Sequence, residues 1–441
     1  MPKIKILTDV VDWRLCVGCG ACAYICPDDR VKLVDYTAEG IRPILSEGNC
    51  GDCTLCLDVC PGVQTDFTPP DGKTYKHPAD VPANNKSFSE NWGQVMEVWE
   101  GYATDPEIRF KGSSGGVLTA LAAYCVESAN MSGILHIGPD PENPVLNRTR
   151  LSTTRAEILA ASGSRYSPAS VCNGLKLVEQ AEKPCAIIGQ PSEIAAVANA
   201  RRLRPELDQK VGLTMSFFCA GSPPTRATTA LLEKNGVKQS AVTNLRYRGL
   251  GWPGYFAPTR KGETEPAFKQ TYADSWAFLQ SFRPWSVQVW PDGSGELADI
   301  SCGDPWYSQP DGINPGASLV LARTERGREI LRGAIAAGYV QLTPAEAWKV
   351  DGSQAGLWQK KGSVWGRIFA MRLLRLPTTK HPGSALFACW RRLDVNNKLR
   401  STFGTVRRIL SRGLRKPLVL SQKDSIPVKP AIKAVELKPK L

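Results

Sequence analysis

Histidine is scarce in this chain, with only three among its 441 residues. His77 lies in a stretch rich in Pro and Asn, and His136 falls within a predicted strand, where we expect packing rather than catalysis. Neither these two nor His381 stands in a pattern typical of acid–base catalysis. The chain also lacks a run of 18 or more apolar residues, which predicts no membrane-spanning helix. The opening residues contain no apolar core of signal-peptide length, so we expect a cytoplasmic protein.

Positive charge is concentrated at one end of the chain. From Gly366 onward, 18 Lys and Arg stand against 3 Asp and Glu, so this segment carries the whole net charge of +13. The remainder is near neutral, which argues against a nucleic-acid-binding body. Basic and apolar residues alternate in this tail, and its basic members include Arg367, Arg372, Arg375, Arg391, Arg392, Arg407, Arg408, Arg412, Arg415 and Lys416.

Three interpretations of this basic tail stay open. It is an interfacial helix on anionic lipid at the inner face of the membrane, a docking surface for an acidic partner such as a ferredoxin, or a solvated helical extension. The last stretch, from Ser425 to Leu441, has the composition of a disordered segment.

Fourteen cysteines would suit a secreted disulfide scaffold, but their distribution argues otherwise. Eight lie between Cys16 and Cys60, in two copies of one spacing. The other six are scattered through apparently core-forming sequence: Cys125, Cys172, Cys185, Cys219, Cys302 and Cys389. Clustered cysteines in a long chain without an export signal are typical of intracellular metal binding.

The duplicated spacing is Cys-x-x-Cys-x-x-Cys-x-x-x-Cys-Pro, which predicts two 4Fe–4S clusters. Three cysteines on a tight turn can hold three irons of a cube, and in two-cluster ferredoxins the fourth cysteine of each motif ligates the other cluster. One cluster would take Cys16, Cys19, Cys22 and Cys60, and the other Cys50, Cys53, Cys56 and Cys26. Disulfides or zinc fit less well, because zinc sites usually use two separated cysteine pairs.

The chain divides into four parts. Residues 1–67 hold both cysteine motifs, residues 68–91 read as a linker or an extended wrapping segment, and residues 351–441 form the basic extension. Between them, residues 92–350 alternate short apolar runs with helical patterns, which predicts an α/β layer structure. Strands are expected near residues 133–138, 185–188, 211–219 and 317–322, with helices near 193–204, 225–235 and 325–337.

Several short segments of the larger part suggest a ligand site. The small residues from Gly112 to Gly116 precede a predicted helix, an arrangement that suits a pyrophosphate but often serves only as a helix cap. Further segments follow at residues 161–168, 188–196, 218–221 and 298–306. In this order, and with the cysteine motifs, the sequence from about Cys16 to Ala337 resembles the beta-subunit family of coenzyme F-420 hydrogenases and dehydrogenases, which also includes 7-hydroxymethyl chlorophyll a reductase and an 8-vinyl reductase of chlorophyll synthesis.

The resemblance implies FAD in the larger domain, exchanging electrons with the clusters and with an organic or deazaflavin substrate. By the family pattern, the residues beside the flavin would be Ser113, Ser114, Gly115, Gly116, Gly163, Ser164, Arg165, Tyr166, Gly189, Gln190, Pro191 and Ser192. The resemblance thus implies an α+β ferredoxin-like two-cluster domain, a larger α/β flavin-binding domain and a basic helical or disordered C-terminal extension. Arg165 and Asp304 would either orient the flavin or substrate or form structural ion pairs and turns.

The sequence departs from many members of this family at four positions. Ser192 and Ala220 replace a cysteine and a histidine, and Val287 and Trp290 replace a Cys-x-x-Cys pair before Pro291. Our hypothesis is that an additional metal or redox site of some relatives has been lost here. We expect Cys219 and Cys302 to be buried small apolar residues rather than metal ligands.

Together these observations favour an iron–sulfur flavin-dependent oxidoreductase, because a mere electron carrier does not need so large an α/β body. Its partners would be a redox donor such as ferredoxin or coenzyme F-420 and a small organic substrate. The alternative is a non-catalytic electron-transfer subunit of a larger redox complex, and a homo-oligomer is also open.

Overall fold

A computed structural model describes residues 2–46, 50–69, 78, 86–308 and 315–436. His77 and most of the expected linker lie outside these residues. The strands are β1 (Val31–Tyr36), β2 (Gly40–Leu45), β3 (Glu97–Ala103), β4 (Ile134–Pro139), β5 (Asn147–Ser152), β6 (Cys185–Gly189), β7 (Val211–Phe217), β8 (Val242–Arg246), β9 (Tyr255–Arg260), β10 (Gln270–Thr271), β11 (Ile300–Gly303), β12 (Ser318–Ala322), β13 (Val340–Pro344), β14 (Ser425–Pro427) and β15 (Ile432–Lys433).

Helices surround these strands. A short 3-10 helix at Val171–Gly174 lies between the seventh and eighth α-helices in the sequence. The α-helices are α1 (Leu7–Asp12), α2 (Ala21–Ile25), α3 (Leu55–Asp58), α4 (Lys86–Trp92), α5 (Pro106–Lys111), α6 (Val117–Glu127), α7 (Arg155–Ala160), α8 (Leu175–Glu179), α9 (Pro191–Leu203), α10 (Pro205–Lys210), α11 (Thr225–Lys234), α12 (Tyr272–Leu279), α13 (Trp285–Val289), α14 (Glu325–Ala336), α15 (Trp348–Leu373), α16 (Leu386–Arg392) and α17 (Val395–Ser411). Among the described helices, none is both long and apolar enough to cross a membrane.

A nine-stranded mixed sheet in the order β13-β3-β12-β11-β7-β6-β4-β5-β15 forms the centre of the larger domain. Its middle strands β11, β7, β6 and β4 run parallel, whereas β12, β3 and β13 on one side pair antiparallel. Apolar side chains cover both faces of these middle strands, as expected for a parallel sheet between helices. The strands and helices predicted between residues 133 and 337 are all present, with shifts of a few residues at their ends.

The cysteine-rich part packs against this body around a small antiparallel sheet. Strands β1 and β2 form a hairpin that lies between the two cysteine motifs in the sequence. Gly20, in the first motif, has a φ of +85°, and an added Cβ atom would lie 2.3 Å from Ser170 Oγ in the body. Glycine is therefore required both by the left-handed backbone and by the close approach of the larger domain.

The extension is not a separate tail. The boundary expected at residue 350 falls inside α15, which packs against α16 and α17 and over the larger domain. The expected linker also needs correction, because α4 covers residues 86–91 and buries Phe88 and Trp92 in the core. Burial of these two aromatic side chains stabilises the helix. The many Pro and Asn residues of the segment gave no indication of it.

The disorder expected from Ser425 onward is wrong for residues 425–436, and residues 437–441 lie outside the described part. Strand β14 pairs with β1 of the cysteine-rich part, and β15 pairs with β5 of the main sheet. Lys429, between them, forms ion pairs with Asp140 and Glu142. We call residues 425–433 the strap. The strap finds its hydrogen-bonding partners on the edge strands β1 and β5. The composition of the strap alone cannot predict this pairing, because the partners lie elsewhere in the sequence.

A buried ion pair also fixes the extension to the body. Lys361 Nζ on α15 lies 2.8 Å from both carboxylate oxygens of Glu296, and the two side chains are 3% and 5% exposed. Burial raises the pKa of Glu296 to about 7, and Lys361 opposes that rise. Removing one partner of such a pair leaves an uncompensated buried charge.

Replacing Lys361 by Met is therefore expected to destabilise the protein by about 3–5 kcal/mol. Without Lys361, the buried Glu296 carboxyl stays protonated in the folded protein. In the unfolded chain the same carboxyl releases its proton once the pH exceeds its ordinary pKa. The loss should therefore shrink as the pH falls from 7 toward 5. Urea unfolding followed by tryptophan fluorescence at both pH values measures this.

Two variants control for this result. Adding Glu296→Gln to Lys361→Met should recover most of the lost stability, and Lys349→Met, which removes a more exposed amine from the same helix, should cost far less. Equal destabilisation by Lys361→Met and Lys349→Met would contradict the importance of the buried pair.

Candidate functional site

The first cysteine quartet of the sequence analysis surrounds one small cavity. Cys16, Cys19, Cys22 and Cys60 are all buried and all line it, together with Leu7, Val10, Val17, Gly18, Gly20, Leu33 and Pro43. Cys60 thus reaches this group from the second motif. Burial holds the pKa of Cys22 well above its usual value, and the nearby thiols of Cys19, Cys16 and Cys60 add to that rise. Negative charge from four thiolates would therefore need compensation by bound metal.

The second quartet lies nearer the surface. Cys50 and Cys53 are exposed, whereas Cys26 and Cys56 are half-buried. Burial raises the pKa of the Cys56 thiol, and Cys53, Cys50 and Cys26 act in the same direction. Cys26, from the first motif, is therefore close to the cysteines of the second. Among the described residues, no three His, Cys, Asp or Glu side chains are arranged to hold a single metal ion.

The buried quartet touches the larger domain through Cys19. The Cys172 amide donates to the Cys19 carbonyl at 3.1 Å, and the neighbouring Cys172 thiol lowers the pKa of Cys19. Val171, next in the chain to Cys172, lines a cavity of the larger domain. One hydrogen bond and one peptide unit therefore connect a predicted cluster ligand to the wall of that cavity.

That cavity, called here the main cavity, has a volume of about 460 Å³, within the range of about 300–1,000 Å³ common for ligand sites. It lies at the carboxyl ends of β6 and β7, where open α/β sheets usually bind ligands. Nine of the twelve residues expected beside the flavin line it: Ser113, Ser114, Gly116, Gly163, Ser164, Arg165, Tyr166, Gly189 and Gln190.

The other three of the twelve lie elsewhere. Gly115 packs into the sheet, where an added Cβ atom would lie 2.6 Å from the Gly101 carbonyl oxygen, so its role is to let the turn approach the strands. Pro191 and Ser192 begin α9 and line a smaller neighbouring chamber. Sequence spacing places these residues beside their neighbours but does not show which way the turn faces.

Two of the expected flavin segments meet at the cavity wall. The Ser164 amide donates to Ser113 Oγ at 2.6 Å, which joins the turn before α6 to the segment after α7. Gly116 has a φ of +74° and immediately precedes α6. The N-terminal end of this 11-residue helix, with its free amides and partial positive charge, is thereby turned toward the cavity.

The two candidate orienting residues differ in their roles. The Arg165 guanidinium donates to the carbonyls of Pro144, Leu146 and Leu245, so it fixes neighbouring loops. Asp304 forms a two-pronged ion pair with Arg248, with N–O distances of 2.8 and 2.9 Å. This pair lines the main cavity, and the Arg248 side chain is 3% exposed.

Sequence reasoning missed Arg248 and Tyr272, although Trp306 beside them ends the segment 298–306 that it singled out. The Arg248 guanidinium lies 4.4 Å from the Tyr272 ring centroid, and Tyr272 stacks on Trp306 at 5.4 Å. Arg248 and Trp306 lie in loops after β8 and β11, whereas Tyr272 begins α12. Aromatic residues and glycines are frequent near these positions in the sequence, and this composition was the signal that could have pointed to a ligand site.

Burial shifts the pKa values of three titratable groups in the wall of the main cavity. Burial lowers the pKa of His136 to about 3, and its ring nitrogens bond Ser152 Oγ and the Ile137 carbonyl, in agreement with a packing role. Burial raises the pKa of Glu193 to about 7, although its carboxylate accepts from the amides of Val171 and Gln190. Cys302 is buried in the same wall, and burial raises its pKa to about 12.

A side chamber of about 50 Å³ adjoins the main cavity, and the two share Gln190, Cys219, Gly221 and Ser222 in their walls. On its other side it reaches Val17 and Gly18 in the first cysteine motif. Three of the four positions where the sequence departs from the family pattern line this chamber: Ser192, Val287 and Trp290. Cys219 lies among them, half-buried, with burial raising its pKa.

Three family profiles match parts of this chain. The family profile for the C-terminal part of the coenzyme F-420 hydrogenase/dehydrogenase beta chain matches residues 182–347, and the profile for its N-terminal part matches residues 98–176. A 4Fe-4S dicluster domain profile matches residues 15–63.

Individual relatives match over most of the same region. The coenzyme F-420 hydrogenase subunit beta of Methanosarcina barkeri is 28% identical over 264 residues, covering 58% of this chain and 84% of the relative. Its counterpart in Methanothermobacter thermautotrophicus is 26% identical over 300 residues, covering 65% and 98%. The coenzyme F-420-dependent sulfite reductase of Methanocaldococcus jannaschii is 23% identical over 345 residues, covering 74% of this chain and 46% of the relative.

The fold has a counterpart among solved structures. A chain of the F-420-reducing NiFe hydrogenase complex from Methanosarcina barkeri, determined as a xenon derivative, superposes with a TM-score of 0.50 at 22% identity, covering 63% of this chain and 94% of that one. The chain described here therefore belongs to the coenzyme F-420 hydrogenase/dehydrogenase beta-subunit family and carries a 4Fe–4S dicluster domain near its N-terminus.

Proposed function

We propose that this protein is an iron–sulfur flavoprotein oxidoreductase that passes electrons between two 4Fe–4S clusters, FAD and a small organic or deazaflavin substrate. The observation that carries the proposal is the contact between the buried cysteine quartet and the main cavity through Cys19, Cys172 and Val171. A redox relay needs its centres close together, and this contact joins the two candidate cofactor sites directly.

The residues present fit both cofactors. Each cysteine quartet contains three residues of one motif and the last cysteine of the other, the set that a 4Fe–4S cube requires. The main cavity offers apolar walls for a ring system, with serine hydroxyls and the start of α6 for a pyrophosphate. When bound, a flavin supplies exchange between one-electron and two-electron transfers, chemistry that needs no histidine base.

The difference in exposure between the quartets assigns them different roles in this proposal. Cys50 and Cys53 reach the surface, so a redox donor such as ferredoxin or coenzyme F-420 would meet the protein there. Cys16, Cys19, Cys22 and Cys60 are buried against the larger domain, on the side of the main cavity. Arg30 Nη1 donates to Cys50 Sγ at 3.2 Å, and such a bond stabilises a thiolate ligand.

A non-catalytic electron-transfer subunit of a larger complex is the second candidate. The structural relative is a chain of a hydrogenase complex, and the exposed quartet suits docking to another protein of such a complex as well as to a diffusing donor. The two candidates differ in whether the isolated chain, loaded with its cofactors, reduces an acceptor by itself.

We expect anaerobically purified protein to contain close to eight irons per chain. Cys60→Ser should selectively impair the cluster of the buried quartet, because a hydroxyl is a poor substitute for the thiolate, and should leave the exposed one. Iron and sulfide analysis, with low-temperature EPR after reduction, measures this.

Cys389→Ser is the matched control, because Cys389 is buried outside both quartets and its thiol donates to the Glu90 carbonyl. It should leave both clusters intact. Iron well above eight per chain would contradict the loss of the additional site near Ser192, and zinc in place of iron would contradict the clusters themselves.

Acid extraction is expected to release FAD from the purified protein. Ser164→Tyr, which places a large ring in the main cavity, should lower flavin content severalfold while leaving iron near eight, whereas the same change at exposed Ser240 should alter neither. If no flavin is released from wild-type protein but both clusters remain, the flavoenzyme assignment fails. If flavin is present but the chain turns over no acceptor with reduced ferredoxin or coenzyme F-420, the non-catalytic alternative is favoured.

We further propose that the extension rests on an anionic membrane surface at the cytoplasmic face. On α17, Val395, Leu399, Phe403 and Leu410 are 48–70% exposed and share one face of the helix. The opposite side of α17 packs through Ser401, Thr405 and Ile409. We call the four exposed residues the apolar stripe.

Basic residues beside the apolar stripe indicate what covers it. Arg400 and Arg407 are exposed on the same helix, and Phe369 and Leu373 of α15 are exposed nearby in the extension. A second copy of the chain would bring like charges together, and an acidic protein would satisfy the arginines but offers no apolar layer by its charge alone. An anionic bilayer supplies both phosphate groups and an apolar layer, which is the combination that interfacial helices use.

Liposome co-sedimentation tests the stripe. Wild-type protein should sediment with vesicles containing anionic phosphatidylglycerol and not with neutral phosphatidylcholine, and Leu399→Ser with Phe403→Ser should reduce binding about tenfold or more, because two buried apolar side chains are lost. Tyr255→Ser, at a position 53% exposed on β9, serves as the control and should bind like wild type. Undiminished binding by the double variant would reject the stripe as the membrane contact.

A further inference from the structure

The side chamber has a positive wall that the chemistry described so far does not use. Lys360 and Arg42 both line the chamber, from α15 and β2 respectively. Arg283 and Arg367 lie close enough to lower the pKa of Lys360, after the larger effect of burial, to about 8. Below that pH the Lys360 amine carries its charge, so the chamber is cationic at neutral pH.

Among the described residues, no carboxylate lies within 4 Å of the Lys360 ammonium, although the more distant Asp292 attracts its charge and opposes the fall of its pKa. Its ammonium donates to the Ala220 carbonyl at 3.3 Å, and Arg283 Nη1 donates to the same carbonyl at 2.9 Å. One neutral acceptor is therefore shared by two cations. Cys219 is not the counter-charge, because burial raises the pKa of its thiol above the usual value despite the two neighbouring cations.

Arg42 also has a hydrogen-bond donor without a partner. Its side chain is 4% exposed, its Nε is buried without a hydrogen-bond partner, and its Nη1 donates to the carbonyl of the adjacent Ile41 at 2.7 Å. It forms an ion pair with Glu39 at 3.9 Å. Burial raises the pKa of the Asp35 carboxyl and of the Cys16 thiol, and the charge of Arg42 acts to lower both. Buried donors of this kind normally have partners in the functional protein.

The acidic residues in the wall do not cancel this charge. Asp292 accepts three backbone amides, from Ser294, Gly295 and Glu296, at 2.8–2.9 Å, so its carboxylate closes a turn. Glu39 lies at the rim, with its side chain 28% exposed. Arg283 and Arg367 add their charge to that of Lys360 and Arg42. A small anion entering from the main cavity would therefore meet more positive than negative charge, and the Arg42 Nε donor has no partner.

We propose that the side chamber is an anion subsite that takes the carboxylate of an organic substrate, with Lys360 and Arg42 as its cationic groups. The proposal rests on the proposed function, since the reacting part of that substrate would lie in the main cavity, which shares Gln190 and Cys219 with the chamber. A volume of about 50 Å³ admits a group of a few non-hydrogen atoms and excludes a ring. The substrate is thus a carboxylate whose charged end is unhindered.

The position of Lys360 makes this subsite particular to chains with the extension. The family profile ends at residue 347, whereas Lys360 follows on α15. The same helix is interrupted at Gln354, where the backbone is non-helical, and Gln354 lines the main cavity. The extension therefore supplies wall residues to both spaces.

Acetate is the probe for this subsite, and acetamide is its neutral match in size. In saturation-transfer NMR on the anaerobic, oxidised holoprotein at constant ionic strength, wild type should bind acetate in clear preference to acetamide. Lys360→Gln should weaken acetate binding about tenfold or more, because a charge-assisted hydrogen bond is lost. Lys360→Arg should retain most of the binding, and Lys349→Gln, which removes an equal charge elsewhere on α15, should match wild type.

Each result has a defined meaning. Equal binding of acetate and acetamide by wild type, or equal acetate affinity of wild type and Lys360→Gln, overturns the subsite. Iron and flavin are measured on the same samples, and acetate binding needs no flavin. If acetate behaves as expected but no flavin is found, the proposed function fails and the subsite stands. If flavin is present and Lys360→Gln binds acetate normally, the subsite alone fails.

Discussion

The contact between the first cysteine motif and the 3-10 helix at Val171–Gly174 determines how the two domains can be arranged. The Cys172 amide donates to the Cys19 carbonyl, and Gly20 has room for no side chain because Ser170 lies against it. The buried quartet is thereby held at one fixed place on the larger domain. Because Val171 belongs to the wall of the main cavity, the same contact also fixes the position of that cavity relative to the quartet.

The extension reinforces this arrangement from outside the family region. Its helices bury Lys361 against Glu296, and its strap pairs with the edge of each domain. A ferredoxin-like domain of this size buries little apolar surface of its own, so neighbouring elements contribute much of its stability. Here those elements come from the larger domain on one side and from the strap on the other.

The sequence predicts the local features of this protein far better than the contacts between distant segments. Strands such as β6 and helices such as α9 follow from apolar periodicity, and the cysteine quartets follow from spacing, because both depend on near neighbours in the chain. The periodicity of apolar residues could not show that Gly115 faces the sheet, that Arg248 pairs with Asp304, or that Lys360 reaches the side chamber. Each of these depends on two segments meeting in space, and composition misled where edge strands supplied the partners, as for the strap.

The pairing of β14 with β1 has a consequence for biosynthesis. Strand β1 leaves the ribosome early, whereas its outer partner is made almost a whole chain length later. Throughout that interval the edge of β1 that β14 later pairs with has no strand of the strap beside it. The hairpin between the two cysteine motifs therefore becomes a three-stranded sheet only after the strap has been made.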